Sequence, residues 1–167
     1  MTGQSPTGYR TSQIVLHWLV AALVLFLFVT GDSTTHVFYA GLNGRAEDTS
    51  WVWIPIHIVA GLAILGAILW RLALRRQWGA PEAPAAEPAP LRLLANAVHV
   101  GLYLDMIGAA IVGLIVYFWM PSLGWLHELL SRIVLIVLVA LHVASALWRH
   151  FYWRSDVLMR MLRPIRG

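Results

Sequence analysis

The sequence predicts an all-α integral membrane protein, a four-helix bundle, on three observations. The chain is 59% apolar and only 12% charged, whereas a water-soluble domain carries roughly a quarter charged residues. Four apolar stretches each reach the ~20 residues that a helix needs to cross a bilayer. Histidines recur inside those stretches, where hydrocarbon makes a polar ring costly and usually functional. The 167 residues leave room for one domain, expected to be complete in itself over 1–167. Cysteine is absent, which excludes disulfides, thiolate metal sites, iron–sulfur clusters and covalent haem attachment.

The first stretch is Ser12–Gly31. His17 and Trp18 sit early in it and no small-x-small cleavage site follows cleanly, so it reads as a membrane helix and not as a signal peptide. Asp32–Ser50 is polar, with Gly41, Asn43 and Gly44 as turn formers, and is expected to be a loop with His36 solvated in it. The second stretch is Trp51–Leu74. After it, Gly79–Pro90 reads GAPEAPAAEPAP, a Pro/Ala linker expected to be extended and exposed. The third stretch, Leu93–Met120, stops at Pro121, and the fourth, Leu123–Phe151, follows almost at once. So short a connection makes these two helices antiparallel neighbours. No long repeat is visible.

Charge gives orientation. All 12 basic residues are arginine and the formal net charge is +4. Arg10, Arg71, Arg75, Arg76, Arg92, Arg149, Arg154, Arg160, Arg163 and Arg166 fall on one side of the predicted bundle, and only Arg45 and Arg132 on the other. The positive-inside rule then puts both termini in the cytoplasm. Tryptophans agree: Trp51, Trp53, Trp119 and Trp125 mark the outer interface, and Trp70, Trp78, Trp148 and Trp153 the inner one. Because the basic excess flanks apolar segments, the partner it implies is the lipid bilayer and not nucleic acid.

At least four histidines lie inside the spans, among them His17, His57, His127 and His142. At about 1.5 Å per residue, His17 (inside Arg10) and His142 (inside Arg149) both lie about 10 Å from the cytoplasmic edge. His57 and His127 each lie a few residues inside an outer tryptophan. This gives two depth-matched pairs. The fourth helix supplies one member of each, since 15 residues at about 100° each return His142 to within a sixth of a turn of His127. Two histidines at equal depth suit axial coordination of a haem iron, in an apolar slot between helices. Without cysteine the group is b-type, and bis-histidine ligation favours electron transfer. The fold class is therefore refined to a four-helix bundle with two b-type haems in its core. Zinc or copper needs three or four ligands converging at one depth. Polar helix contacts or a proton relay are the plainer alternative.

Several motifs run in one order over nearly the whole chain. They are Tyr9 with Gln13-Ile-Val-Leu-His17-Trp18, His57-x-x-x-Gly61 running on to Arg71, His99-x-x-x-Tyr103, His127-Glu128, His142-Val-Ala-Ser-Ala-Leu147, His150-Phe151, and Asp156-x-Leu158-x-Arg160-Met161. Together they resemble the bacterial cytochrome b561 family of dihaem membrane proteins, relatives of the cytochrome b subunits of nickel–iron hydrogenases. The resemblance implies a bacterial inner-membrane protein with His17, His57, His127 and His142 as axial ligands. It implies electron passage between ubiquinone and a redox partner, and superoxide is the outer donor in some members.

Other residues stand around these. His99 is either a haem-propionate or quinone contact, which the resemblance supports, or an interfacial polar residue. Arg71, Arg149 and His150 lie where cytoplasmic haem propionates would reach, and charge-assisted hydrogen bonds suit them. The alternative is ordinary membrane anchoring, which is preferred for Arg75 and Arg76. Arg149 stands where relatives often carry histidine. Arg132, inside the outer leaflet, needs a partner: an outer-haem propionate, Glu128 or an incoming anion. Asp105 departs from the apolar residue expected there. It either carries a proton towards a quinone or, by the preferred reading, pairs with Tyr103 or an arginine. Met106, Met120, Met159 and Met161 read as packing, and Gly61, Gly66, Gly108 and Gly113 as points of close helix or porphyrin approach.

Three functions follow. The first is a stand-alone oxidoreductase of the superoxide:ubiquinone type. Its outer charges, Arg45 and Arg132 against Asp32, Glu47, Asp48 and Glu128, are unfavourable for steering an anion. The second is an electron-transfer subunit docked to a partner dehydrogenase or hydrogenase through the outer loop. The third is a proton-coupled membrane protein without haem.

Overall fold

The computed structural model describes residues 8–45, 52–81 and 87–164. Four helices are long and apolar enough to cross a membrane: Thr11–Leu42, Trp53–Trp78, Ala89–Phe118 and Pro121–Phe151. No strand occurs among the described residues. The first helix packs on the second, the second on the third and the third on the fourth. The first three meet in a small apolar core of Leu16, Val20, Ile64, Ala67 and Ile68, flanked by Tyr103, Met106 and Ile107. Large apolar side chains such as Val29, Leu93 and Phe151 point outwards with at least 70% of their surface free. A belt of such side chains suits lipid, while the helices satisfy their own backbone groups. Trp51, Glu47, Asp48 and Arg166 lie outside the described residues.

The first helix corrects the expected loop at Asp32–Ser50 by running on to Leu42. Its hydroxyls bond back to the helix and do not break it. Thr30 Oγ1 donates to the Phe26 carbonyl at 2.8 Å and Thr34 Oγ1 to the Thr30 carbonyl at 3.1 Å. The helix stops at the turn formers, with Asn43 at its end and Gly44 at φ 67°. Its 32 residues span about 48 Å against a hydrocarbon core of about 30 Å, so a polar portion projects beyond the core. His36 is exposed on that helix and not in a loop. Tyr39 fastens the projection by donating its hydroxyl to the Pro121 carbonyl at 3.2 Å.

The linker is corrected at one residue, while Pro88 beside it is exposed and residues 82–86 lie outside the described residues. Glu87, expected to be exposed, is 5% exposed, because Arg149 pairs with it. The third helix then starts at Ala89, with Pro90 in its first turn, where a missing N–H is harmless.

The fourth helix is not uniformly α-helical. A 3₁₀ turn (Pro121–Leu123) and a short α segment (Gly124–Glu128) lead into a π-turn over Leu129–Val134, and regular α-helix resumes at Leu135–Phe151. After Phe151 the chain reverses through Arg154, at φ 48°. The Ser155 amide and hydroxyl both donate to the Arg149 carbonyl at 3.0 Å. Trp18 Nε1 then donates to the Met161 carbonyl at 2.9 Å, clamping the C-terminal segment against the first helix beside His17.

Candidate functional site

The two depth-matched pairs come together as rings. His17 of the first helix and His142 of the fourth have centroids 6.1 Å apart. His57 of the second helix and His127 of the fourth have centroids 6.0 Å apart. A bound transition metal sits about 2 Å from an imidazole nitrogen, with the ring centroid roughly 1 Å further, so one metal ion between two axial rings sets the centroids about 6 Å apart. Both pairs fit a bis-imidazole iron by that measure.

The outer pair is held from behind. His127 Nδ1 donates to the Ala109 carbonyl at 3.0 Å, which leaves Nε2 unprotonated and fixes the ring, as metal-ligating histidines require. Gly113, one turn beyond Ala109, makes the space for that ring, since a Cβ there would lie 2.9 Å from His127 Cε1. All four helices line a cavity of about 410 Å³ around His57 and His127, within the roughly 300–1,000 Å³ of cofactor-sized pockets. Gly61 lines it one turn from His57, and a Cβ on Gly61 would meet nothing within 4 Å. The wall beside His57 therefore leaves open space, as a planar macrocycle would need.

A family model described as prokaryotic cytochrome b561 matches residues 8–164. The chain belongs to the prokaryotic cytochrome b561 family. It is 30% identical to cytochrome b562 of Cereibacter sphaeroides, over 94% of this chain and 96% of that one. It is 26% identical to the probable superoxide oxidase CybB of Yersinia pestis (95% and 98% covered) and 29% identical to cytochrome b561 homolog 2 of Escherichia coli K12 (95% and 93% covered). As a b561-family member it is a multi-pass bacterial membrane protein engaged in haem-b electron transfer.

The π-turn decides where this b561 chain puts Arg132. Five residues after His127, an α-helix at about 100° per residue would swing Arg132 about 140° away. A π-turn closes on the fifth residue and returns it towards the face that carries His127. Arg132 accordingly lines the same cavity as His127 and Glu128. Glu128, one partner the sequence offered, lines the cavity beside it, but the direct contact is with another carboxylate. Arg132 pairs with Asp32, and its guanidinium lies 5.7 Å from the Phe28 ring. The sequence marks Asp32 as an outer charge but not as this partner, because the polar segment beginning there reads as a loop.

The end of the bundle around His17 and His142 is more cationic. The His99 ring lies 4.9 Å from the His142 ring, nearly perpendicular to it, and its Nδ1 donates to the Ala95 carbonyl at 2.7 Å. Arg71 is the cation that His17, His99 and His142 share as a neighbour. Arg149 is committed to Glu87, through Nε at 2.8 Å and Nη2 at 2.6 Å. Arg71 Nη1, His150 Nδ1 and Trp153 Nε1 are buried with no hydrogen-bond partner among the described residues. Trp153 was readable only as an interface marker, and nothing in the sequence separates it from the other tryptophans. Tyr9, before the first helix, has its phenol pushed up by burial, against the opposing pull of Arg75 and Arg71.

Asp105 is corrected. It is 6% exposed and neither carboxyl oxygen has a hydrogen-bond partner among the described residues, so the expected pairing with Tyr103 or an arginine is not made.

Proposed function

We propose that this protein passes electrons across the membrane through two b haems, between an outer donor and ubiquinone. The reading rests on one observation above all: two histidine pairs, at different depths of the bundle, each with the ring spacing that suits axial ligands. His17 and His142 hold the inner haem, and His57 and His127 the outer. Bound there, haem would supply a one-electron iron couple, and two histidine ligands would favour electron transfer over oxygen binding. His127 is kept in the metal-binding tautomer by the Ala109 carbonyl. Arg71, His150 and Trp153 offer buried donors to carboxylates, the chemistry of haem propionates. The arginine distribution orients both termini to the cytoplasm, with His57, His127 and Arg132 in the outer leaflet.

Superoxide is the favoured donor. One relative is named a probable superoxide oxidase. Arg132 lines the outer cavity with its guanidinium paired to an Asp32 whose side chain is 80% exposed, so an arriving anion can compete for it. Two superoxide ions each give up one electron and leave as dioxygen. One ubiquinone takes both electrons and two protons. A second reading, a haem subunit docked to a partner dehydrogenase, draws on the projecting end of the first helix around His36 and Tyr39.

The test is stopped-flow mixing of the detergent-purified protein with superoxide, read at the haem bands. Rapid reduction, slowed about tenfold in Arg132→Ala (the loss of about 1.4 kcal/mol of attraction), supports the superoxide reading. Haems that dithionite reduces and superoxide does not would overturn it in favour of the docked subunit.

A further inference from the structure

Asp105 has no role in the electron path described so far, and its place in the bundle is unusual. The third helix carries its own depth scale. His99 meets the His142 ring, while Ala109 and Gly113 bracket the His127 ring. Asp105 stands midway, about 9 Å in depth from each level at 1.5 Å per residue. It shares a buried helix face with Ala95, Val98, Ala109 and Val116. At this depth the other three helices bring no titratable side chain: none occurs between His17 and Asp32, between His57 and Arg71, or between Arg132 and His142. The nearest titratable groups on its own helix are Tyr103 and His99.

An ionised carboxylate buried without a counter-charge or a hydrogen bond is strongly disfavoured. The positive charge of a nearby ferric haem core offsets this, and reduction removes it. Resting on the dihaem reading, we infer that Asp105 is a midplane proton site that takes up a proton when an electron enters the bundle and releases it on oxidation. The balance is one electron from the outer donor to iron and one proton from the aqueous phase to a carboxyl oxygen of Asp105. Net charge in the membrane interior is unchanged. A unit charge about 10 Å away at an effective dielectric of about 20 changes the proton affinity roughly tenfold or more.

The experiment is a spectroscopic redox titration of the haem-loaded protein between pH 5.5 and 9, with a pyridine-haem count on each sample. The expected result is a midpoint potential that falls with rising pH over part of that range, a slope lost in Asp105→Asn and kept in Asp105→Glu. Redox-difference infrared spectra of the unaltered protein supply a reading that needs no variant. A protonated-carboxyl band should grow on reduction and shift in heavy water. Two haems with a pH-independent potential, an undiminished slope in Asp105→Asn, or no such band would each overturn the proposal. A count of no haem would instead overturn the dihaem reading beneath it.

Discussion

The outer and inner histidine pairs have nearly the same ring spacing and very different surroundings. The outer pair faces a cavity of about 410 Å³, has one ring locked by a backbone carbonyl, and shares its cavity with Arg132 of the Arg132–Asp32 ion pair. The inner pair is crowded by a third imidazole, by the reach of Arg71 and by a C-terminal turn clamped onto Trp18. The same ring geometry therefore stands in two different settings. The outer setting suits exchange with a small reactant. The inner setting suits retention, with cations and buried donors arranged to hold acidic groups.

The strongest way to break this comparison is to remove the ligands one at a time. His57→Ala or His127→Ala should remove the outer haem alone, and His17→Ala or His142→Ala the inner haem alone. A pyridine-haem count should fall from two to one in each case. The surviving band should be the same within a pair and different between pairs. Loss of both haems from any single variant would mean that the sites do not fill independently.

A smaller intervention addresses the outer site only. Gly113→Val places bulk where the His127 ring lies, since even a Cβ comes within 2.9 Å of it. The expected outcome is a weakened or lost low-spin outer signal with the inner one unchanged. Gly66→Ala is the control, because a Cβ there meets nothing within 4 Å. Equal effects of the two substitutions would show that the third helix does not set the His127 position.

The part of the design that could be read from sequence was carried by hydropathy and by depth. The four spans stand out because lipid demands long apolar runs, and the histidine pairing followed from counting residues inward from arginines and tryptophans. What could not be read depends on geometry or on distant partners. The π-turn leaves no mark in composition, yet it decides that Arg132 faces the His127 cavity. Asp32, Ser33, Thr34 and Thr35 look like a loop, but the Thr34 hydroxyl bonds back along the helix, which continues to Leu42. Glu87 sits in a Pro/Ala stretch that reads as solvated. Its burial is intelligible only once Arg149, 62 residues later, is seen beside it.

That last pair gives the gentlest probe of the inner end, and it separates stability from ligation. The Arg149 and Glu87 side chains are 13% and 3% exposed, so removing one partner strands the other. Arg149→Ala should destabilise the protein by about 3 kcal/mol, because an uncompensated buried charge remains. Replacing both with apolar residues, Arg149→Met with Glu87→Leu, should recover most of that loss, a coupling that a double-mutant cycle measures. Thermal unfolding in detergent reads the first quantity and the haem count reads the second. If Arg149 acts mainly through Glu87, the single variant lowers the melting temperature and keeps both haems. If it also holds an acidic group of the inner haem, the double variant recovers stability yet still binds that haem less tightly.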